Sequence, residues 1–132
     1  MNNPTVSGLG GLKVLVIDDS NTIRRSAEIF LKQGGYDVLL AEDGFDALSK
    51  VNDNDPDLIF CDILMPRLDG YQTCAIIKRN LKFSDVPVIM LSSKDGLFDK
   101  ARGRMVGSQD YLTKPFTKDQ LLQAVELHRR AV

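Results

Sequence analysis

The sequence predicts an α/β fold: five strand–helix pairs, (βα)5, folded as an open, doubly wound parallel sheet. Three observations carry that expectation. Short β-branched runs alternate with stretches of helical periodicity along the whole chain. The runs are apolar throughout rather than at every second residue, as in strands buried on both faces of a parallel sheet. And 132 residues hold five such pairs, too few for a closed (β/α)8 barrel of about 250 residues.

The elements follow in order. Residues 1–11, rich in Gly and Asn with one Pro, read as a flexible leader. Leu12 and Val14 to Ile17 form the first strand. Ile23, Ala27, Phe30 and Leu31 recur at helical spacing, with Ser20 or Asn21 as cap and Gly34-Gly35 as stop. Val38 to Leu40 is the second strand, and Phe45, Leu48 and Val51 mark the inward face of the next helix. Leu58 to Cys61 is the third strand, before a helix over about 70–81 bearing Ala75, Ile76 and Ile77. Val86 to Leu91 is the fourth strand, with Pro87 near its start, where a missing N–H matters least. A weaker helix over about 97–106 places Leu97, Ala101 and Met105 four apart. Tyr111-Leu112 is a brief fifth strand. The last helix opens with Thr117 and Gln120 in capping-box spacing and turns Leu121, Leu122 and Val125 inward.

Composition bounds the function. Seventeen basic and eighteen acidic residues leave a net charge of −1, so no broad field draws the chain to nucleic acid or an anionic membrane. No apolar run approaches the ~20 residues of a membrane span, and the N-terminus lacks the pattern of a signal peptide. Cys61 and Cys74 are not a C-x-x-C pair and read as free thiols of a reducing cytoplasm.

Polar residues fall where such sheets bind ligands, beyond the carboxyl ends of the strands. Asp18 and Asp19 follow strand one, Asp62 strand three, and Ser92 and Ser93 strand four. Thr113, Lys114 and Pro115 follow strand five. Each has a plainer use as a helix cap or turn residue. Together they deliver three carboxylates, a hydroxyl and an ammonium to one edge. Clustered carboxylates repel, so one must take a proton or the group must hold a cation. Mg²⁺ suits a few carboxylates plus waters and a phosphate oxygen. A carboxylate can also attack phosphorus and become an aspartyl phosphate, with Lys114 and Ser92 partnering its oxygens. The set points to phosphoryl transfer onto Asp.

The runs VIDDS (Val16 to Ser20), CDILMPRLDG (Cys61 to Gly70), PVIMLSS (Pro87 to Ser93) and YLTKPF (Tyr111 to Phe116) resemble the receiver domains of bacterial response regulators, the CheY-like family. The resemblance spans about Leu12 to Arg130. It implies the flavodoxin-like strand order 2-1-3-4-5, with Asp62 as phosphoacceptor. It implies that Asp18, Asp19, Asp62 and the backbone carbonyl of Leu64 hold Mg²⁺. Lys114 then meets the phosphoryl group across a peptide bond to Pro115 that is usually cis in the family. Ser92 and Tyr111 form the switch pair, and small Ser93 guards access. Longer stretches, including Arg67 to Lys78 and Val106 to Val125, resemble the PilG-like regulators of type IV pilus twitching motility. That implies a CheA-like histidine kinase as donor, a protein effector meeting a face at about 97–125, and no output domain in the chain. The protein itself would not be an enzyme beyond its own phosphorylation and dephosphorylation. Leu64 and Lys94 stand where some members carry an amide or acid, so slow self-dephosphorylation is expected.

Other readings stay open at this stage. A chemotaxis-type flagellar regulator or a phosphate-shuttling intermediate would use the same residues. An Asp-nucleophile phosphatase wants a second Asp where Leu64 stands. A nucleotide or flavin binder would need a Gly-rich or Ser/Thr-rich phosphate loop after strand one, where this chain has Asp18 and Asp19. Arg24-Arg25 and Arg129-Arg130 read as solvated helix faces, and His128 as a solvated last-turn residue.

Overall fold

A computed structural model describes residues 11–94 and 98–129 of the chain. The leader residues 1–10, Leu97 and Arg130 lie outside the described residues. The strands are β1 (Lys13–Ile17), β2 (Asp37–Ala41), β3 (Leu58–Asp62), β4 (Val88–Ser93) and β5 (Asp110–Lys114). The helices are α1 (Asn21–Gln33), α2 (Gly44–Asn54), α3 (Gly70–Arg79), α4 (Lys100–Met105) and α5 (Lys118–His128). All four strand pairings are parallel, in the order β2-β1-β3-β4-β5. This is the expected doubly wound (βα)5 sheet.

Alternation within the apolar runs sorts the core into two layers. Leu15, Ile17, Ile59, Cys61 and Met90 face one way, against Ala47 and Val51 of α2 and Cys74 and Ile77 of α3. Val14, Val16, Phe60, Ile89 and Leu91 face the other, against Ala27 and Leu31 of α1 and Leu121 and Val125 of α5. Successive strand residues point to opposite faces, so a run buried on both sides must be apolar at every position. The caps fall as read: Ser20 accepts from the Ile23 N–H, and Thr117 and Gln120 close a capping box.

Several details differ from the sequence reading. α3 ends at Arg79, because Asn80 turns to an extended conformation and leaves Leu81 in solvent. β4 starts at Val88 and runs on through Ser93, so both serines belong to the strand. Phe45 is 54% exposed rather than inward, and its ring carries the Arg67 guanidinium 5.2 Å from its centroid. α4 is rotated relative to the expected stripe. Asp99 caps it, starting the helix at Lys100, and this phase buries Gly103 while Ala101 and Met105 face solvent. His128 is not simply solvated: its Nε2 lies 2.8 Å from Asp110 Oδ2, tying α5 to β5. Arg24 is likewise not only a solvated residue, as its guanidinium reaches back to the end of β1.

Candidate phosphorylation site

The strand ends bring the distant acids together. Asp18 directly follows β1, Asp62 ends β3 and Lys114 ends β5. Lys114 Nζ lies 3.0 Å from Asp62 Oδ1 and 3.1 Å from Asp18 Oδ2. Asp18 is fully buried, Asp62 nearly so, and Asp19 is exposed. One carboxylate oxygen from each of Asp18, Asp19 and Asp62 falls within 4.8 Å of the others. Three carboxylates thus face a single ammonium.

That imbalance shows in the titration of the group at the centre. Burial, then the charge of Asp18, push the Asp62 carboxyl up from its ordinary 3.8 to about 7, with Lys114 pulling the other way. Burial works against the Lys114 charge, but its hydrogen bond to Asp62 and the Asp18 charge outweigh this and raise it overall. A hard divalent cation would relieve the excess negative charge, and all three side chains offer the oxygen ligands that Mg²⁺ prefers.

Local structure holds each part in place. Asp18 Oδ1 accepts from the Ser20 N–H at 2.9 Å, and Arg24 donates to the Asp18 backbone carbonyl at 2.6 Å. Gly70 opens α3 close against the end of β3. A Cβ there would lie 2.2 Å from the Asp62 carbonyl oxygen, and the Gly70 N–H donates to Ile63 at 2.8 Å. In the loop between β3 and α3, Leu64 is 69% exposed. Arg67 adopts a left-handed φ of 70° and pairs with Asp43 at 2.8 Å. The Lys114–Pro115 peptide is cis, as the resemblance implied.

The proposed switch residues occupy a different arrangement. Ser92 is buried, but its hydroxyl donates to the neighbouring Ser93 carbonyl at 3.3 Å rather than to the acids. Ser93 pairs with Lys114 in the β4–β5 ladder. Tyr111 is 36% exposed and stacked on Phe98 with ring centroids 4.5 Å apart. Phe98 in turn stacks on Tyr71 at 6.2 Å, and Arg102 lies 4.3 Å over the Tyr71 ring. The Tyr71 hydroxyl accepts from the Asp99 N–H at 3.0 Å. A ladder of stacked groups therefore joins β5, α4 and α3.

Comparison with known proteins places this geometry. Residues 14–126 match the response regulator receiver domain family. The chain belongs to that family. It is 68% identical to Protein PilG of Pseudomonas aeruginosa over 118 residues, covering 89% of this chain and 87% of that protein. The chemotaxis protein CheY4 of Vibrio cholerae superposes with a TM-score of 0.86 at 31% identity, covering 90% of this chain and 99% of that one. The receiver domain of Francisella response regulator 1452 gives 0.79 at 38% identity, covering 89% and 95%.

The residues read from the sequence as one site are partly assembled. The structure unites Asp18, Asp19, Asp62 and Lys114, places Ser92 near the end of β4, and sets Tyr111 farther back on β5, opposite Met90 and stacked on Phe98. Sequence reasoning missed the parts played by Arg24 and Gly70 and the stacking of Phe98 on Tyr71. Arg24 carried a faint signal as a basic residue in the first turn of a helix leaving an acidic pair. Gly70 carried one as the last residue of CDILMPRLDG. Phe98 shows in the sequence as an apolar residue of the 97–125 face beside Leu97 and Tyr111, but its stacking on Tyr71 joins residues far apart in sequence.

Proposed function

We propose that this receiver domain is a phosphoacceptor of a two-component phosphorelay that controls type IV pilus twitching motility. Asp62 is the acceptor. Its carboxylate attacks the phosphorus of a phosphohistidine on a CheA-like kinase; the P–N bond breaks, the imidazole leaves, and an acyl phosphate forms. Asp18, Asp19 and Asp62, with the backbone carbonyl of Leu64, would hold Mg²⁺. When bound, that ion neutralises charge on the transferring phosphoryl group. Lys114 supplies a fixed positive charge to another phosphoryl oxygen. Beyond this self-directed chemistry the chain is not an enzyme, and it works in the cytoplasm. No described helix is long and apolar enough to cross a membrane.

The observation that carries the reading is the Lys114 ammonium shared between Asp18 and Asp62. A structural ion pair needs one carboxylate per cation, and this centre holds three for one. On phosphorylation, Ser92 turns to the phosphoryl group and Tyr111 moves into the space it leaves. This reshapes the face built from about 97–125, where a protein effector binds. Similarity to Protein PilG agrees with the resemblance of the loop sequences to pilus regulators.

The test is phosphotransfer from candidate histidine kinases, with labelled acetyl phosphate as a kinase-free control. Label is expected on the wild type in Mg²⁺ and none on Asp62→Ala. Retained label in that variant would sink the assignment. A kinase from outside the pilus system transferring fastest would overturn the twitching role alone.

A further inference from the structure

α3 and α4 carry five cations and no acid between them: Lys78, Arg79, Lys100, Arg102 and Arg104. The whole chain has a net charge of −1, so this pair of helices departs from the rest of the surface. Between them lie two adjoining hollows of about 320 and 450 Å³, both lined by Ala75, Arg79 and Val106. Ile76, 39% exposed, lines the first, and Met105, 85% exposed, lines the second. Arg79 makes no hydrogen bond or ion pair among the described residues. Arg102 stays half exposed although it pairs with Asp69 at 3.6 Å. The result is an apolar trough with a basic rim.

We propose that this α3–α4 trough seats an acidic amphipathic helix of a partner protein. Apolar side chains at helical spacing fill the two hollows, and carboxylates meet Arg79 and Arg102. The ten residues of α3 give a trough of about 15 Å at 1.5 Å per residue, which fits two to three turns of a docked helix. Charge sign selects the partner: a basic helix would meet the like charges of Lys78, Arg79 and Arg102 that line the hollows, and the recessed floor suits inserted side chains better than a lipid surface. The proposal stands on α3 and α4 and holds whether or not Asp62 is the phosphoacceptor.

The test is an NMR titration of the ¹⁵N-labelled full chain. The probe is a synthetic helix of about three turns with leucines at positions i, i+3 and i+7 and glutamates elsewhere. A matched peptide with lysines replacing the glutamates and vesicles of phosphatidylcholine with phosphatidylglycerol serve as comparisons. Saturable shifts on α3 and α4 with the acidic peptide alone are expected. Arg79→Glu should weaken that binding about tenfold, and Ile76→Ser should weaken it without changing the charge preference. Thermal melts of both variants separate lost binding from lost folding. Equal binding of the lysine peptide, shifts confined to other elements, or a response to vesicles but to neither peptide would each overturn the proposal.

Discussion

The rings of Phe98 and Tyr111 lie nearly parallel, 22° apart, with centroids 4.5 Å from each other. Close to Phe98 sits Gly103, where a Cβ would come within 2.6 Å of the ring. Phe98 is thus wedged between a glycine of α4 and the tyrosine of β5, and it holds Tyr111 in its outward position. Such stacked pairs contribute about 0.5–1.5 kcal/mol beyond the area they bury.

Phe98→Leu should therefore lower stability by about 1 kcal/mol and free Tyr111 to move. Urea denaturation checks the first effect and tyrosine fluorescence the second. An unchanged midpoint and spectrum would mean that the stack holds nothing in place.

The charge excess makes stability depend on pH in the absence of Mg²⁺. The folded state raises the Asp62 carboxyl from 3.8 to about 7, so it binds a proton more tightly than the unfolded chain does. The stabilising contribution of that proton is complete below 3.8 and is lost as pH rises through about 7. Asp62→Asn abolishes this loss, and at pH 8 it should be more stable than the wild type by about 1–2 kcal/mol, with the one lost Lys114 contact offsetting part of the gain. Urea melts at pH 5 and pH 8 should show the larger difference at the higher pH, and Mg²⁺ should shrink it.

Gly70→Ala should disturb Asp62 without touching its side chain. A methyl group cannot sit 2.2 Å from the Asp62 carbonyl oxygen, so β3 and α3 must separate. Losses of about 2–3 kcal/mol in stability and of most acetyl phosphate labelling are expected. Full labelling at wild-type stability would show that the helix start gives way freely.

Lys114→Met leaves two buried carboxylates with no cation. Removing one partner of a buried charged group costs about 3–5 kcal/mol, and Mg²⁺ should restore part of it by taking over neutralisation. Phosphoryl incorporation should fall even in Mg²⁺, because the phosphoryl oxygen loses its ammonium. Labelling at the wild-type rate would remove Lys114 from the mechanism.

The phosphorylated form should be long-lived. Leu64, 69% exposed, offers no amide or carboxylate to orient an attacking water, and neither does exposed Lys94. Label on Asp62 should persist for minutes or longer, and Leu64→Asn should shorten its life severalfold. Loss within seconds in the wild type would refute this.

Local sequence determined a great deal here. The runs at Val14–Ile17, Leu58–Cys61 and Val88–Leu91 identify buried parallel strands, because a strand covered on both faces has no polar position to spare. Asp18, Asp62, Ser92 and Lys114 were legible because the fold binds ligands where its strands end. The tertiary structure alone decided the rest. Lys114 meets Asp18 across 96 residues of sequence, and only the order of the strands determines which acids it reaches. The phase of α4 follows from its Asp99 cap and from the room that Gly103 leaves for Phe98, neither of which a four-residue spacing reveals. His128 against Asp110 and the ladder from Arg102 to Tyr111 also join segments that are apart in sequence. Periodicity encodes which face of an element is buried; which neighbour fills that face depends on how the crossovers pack.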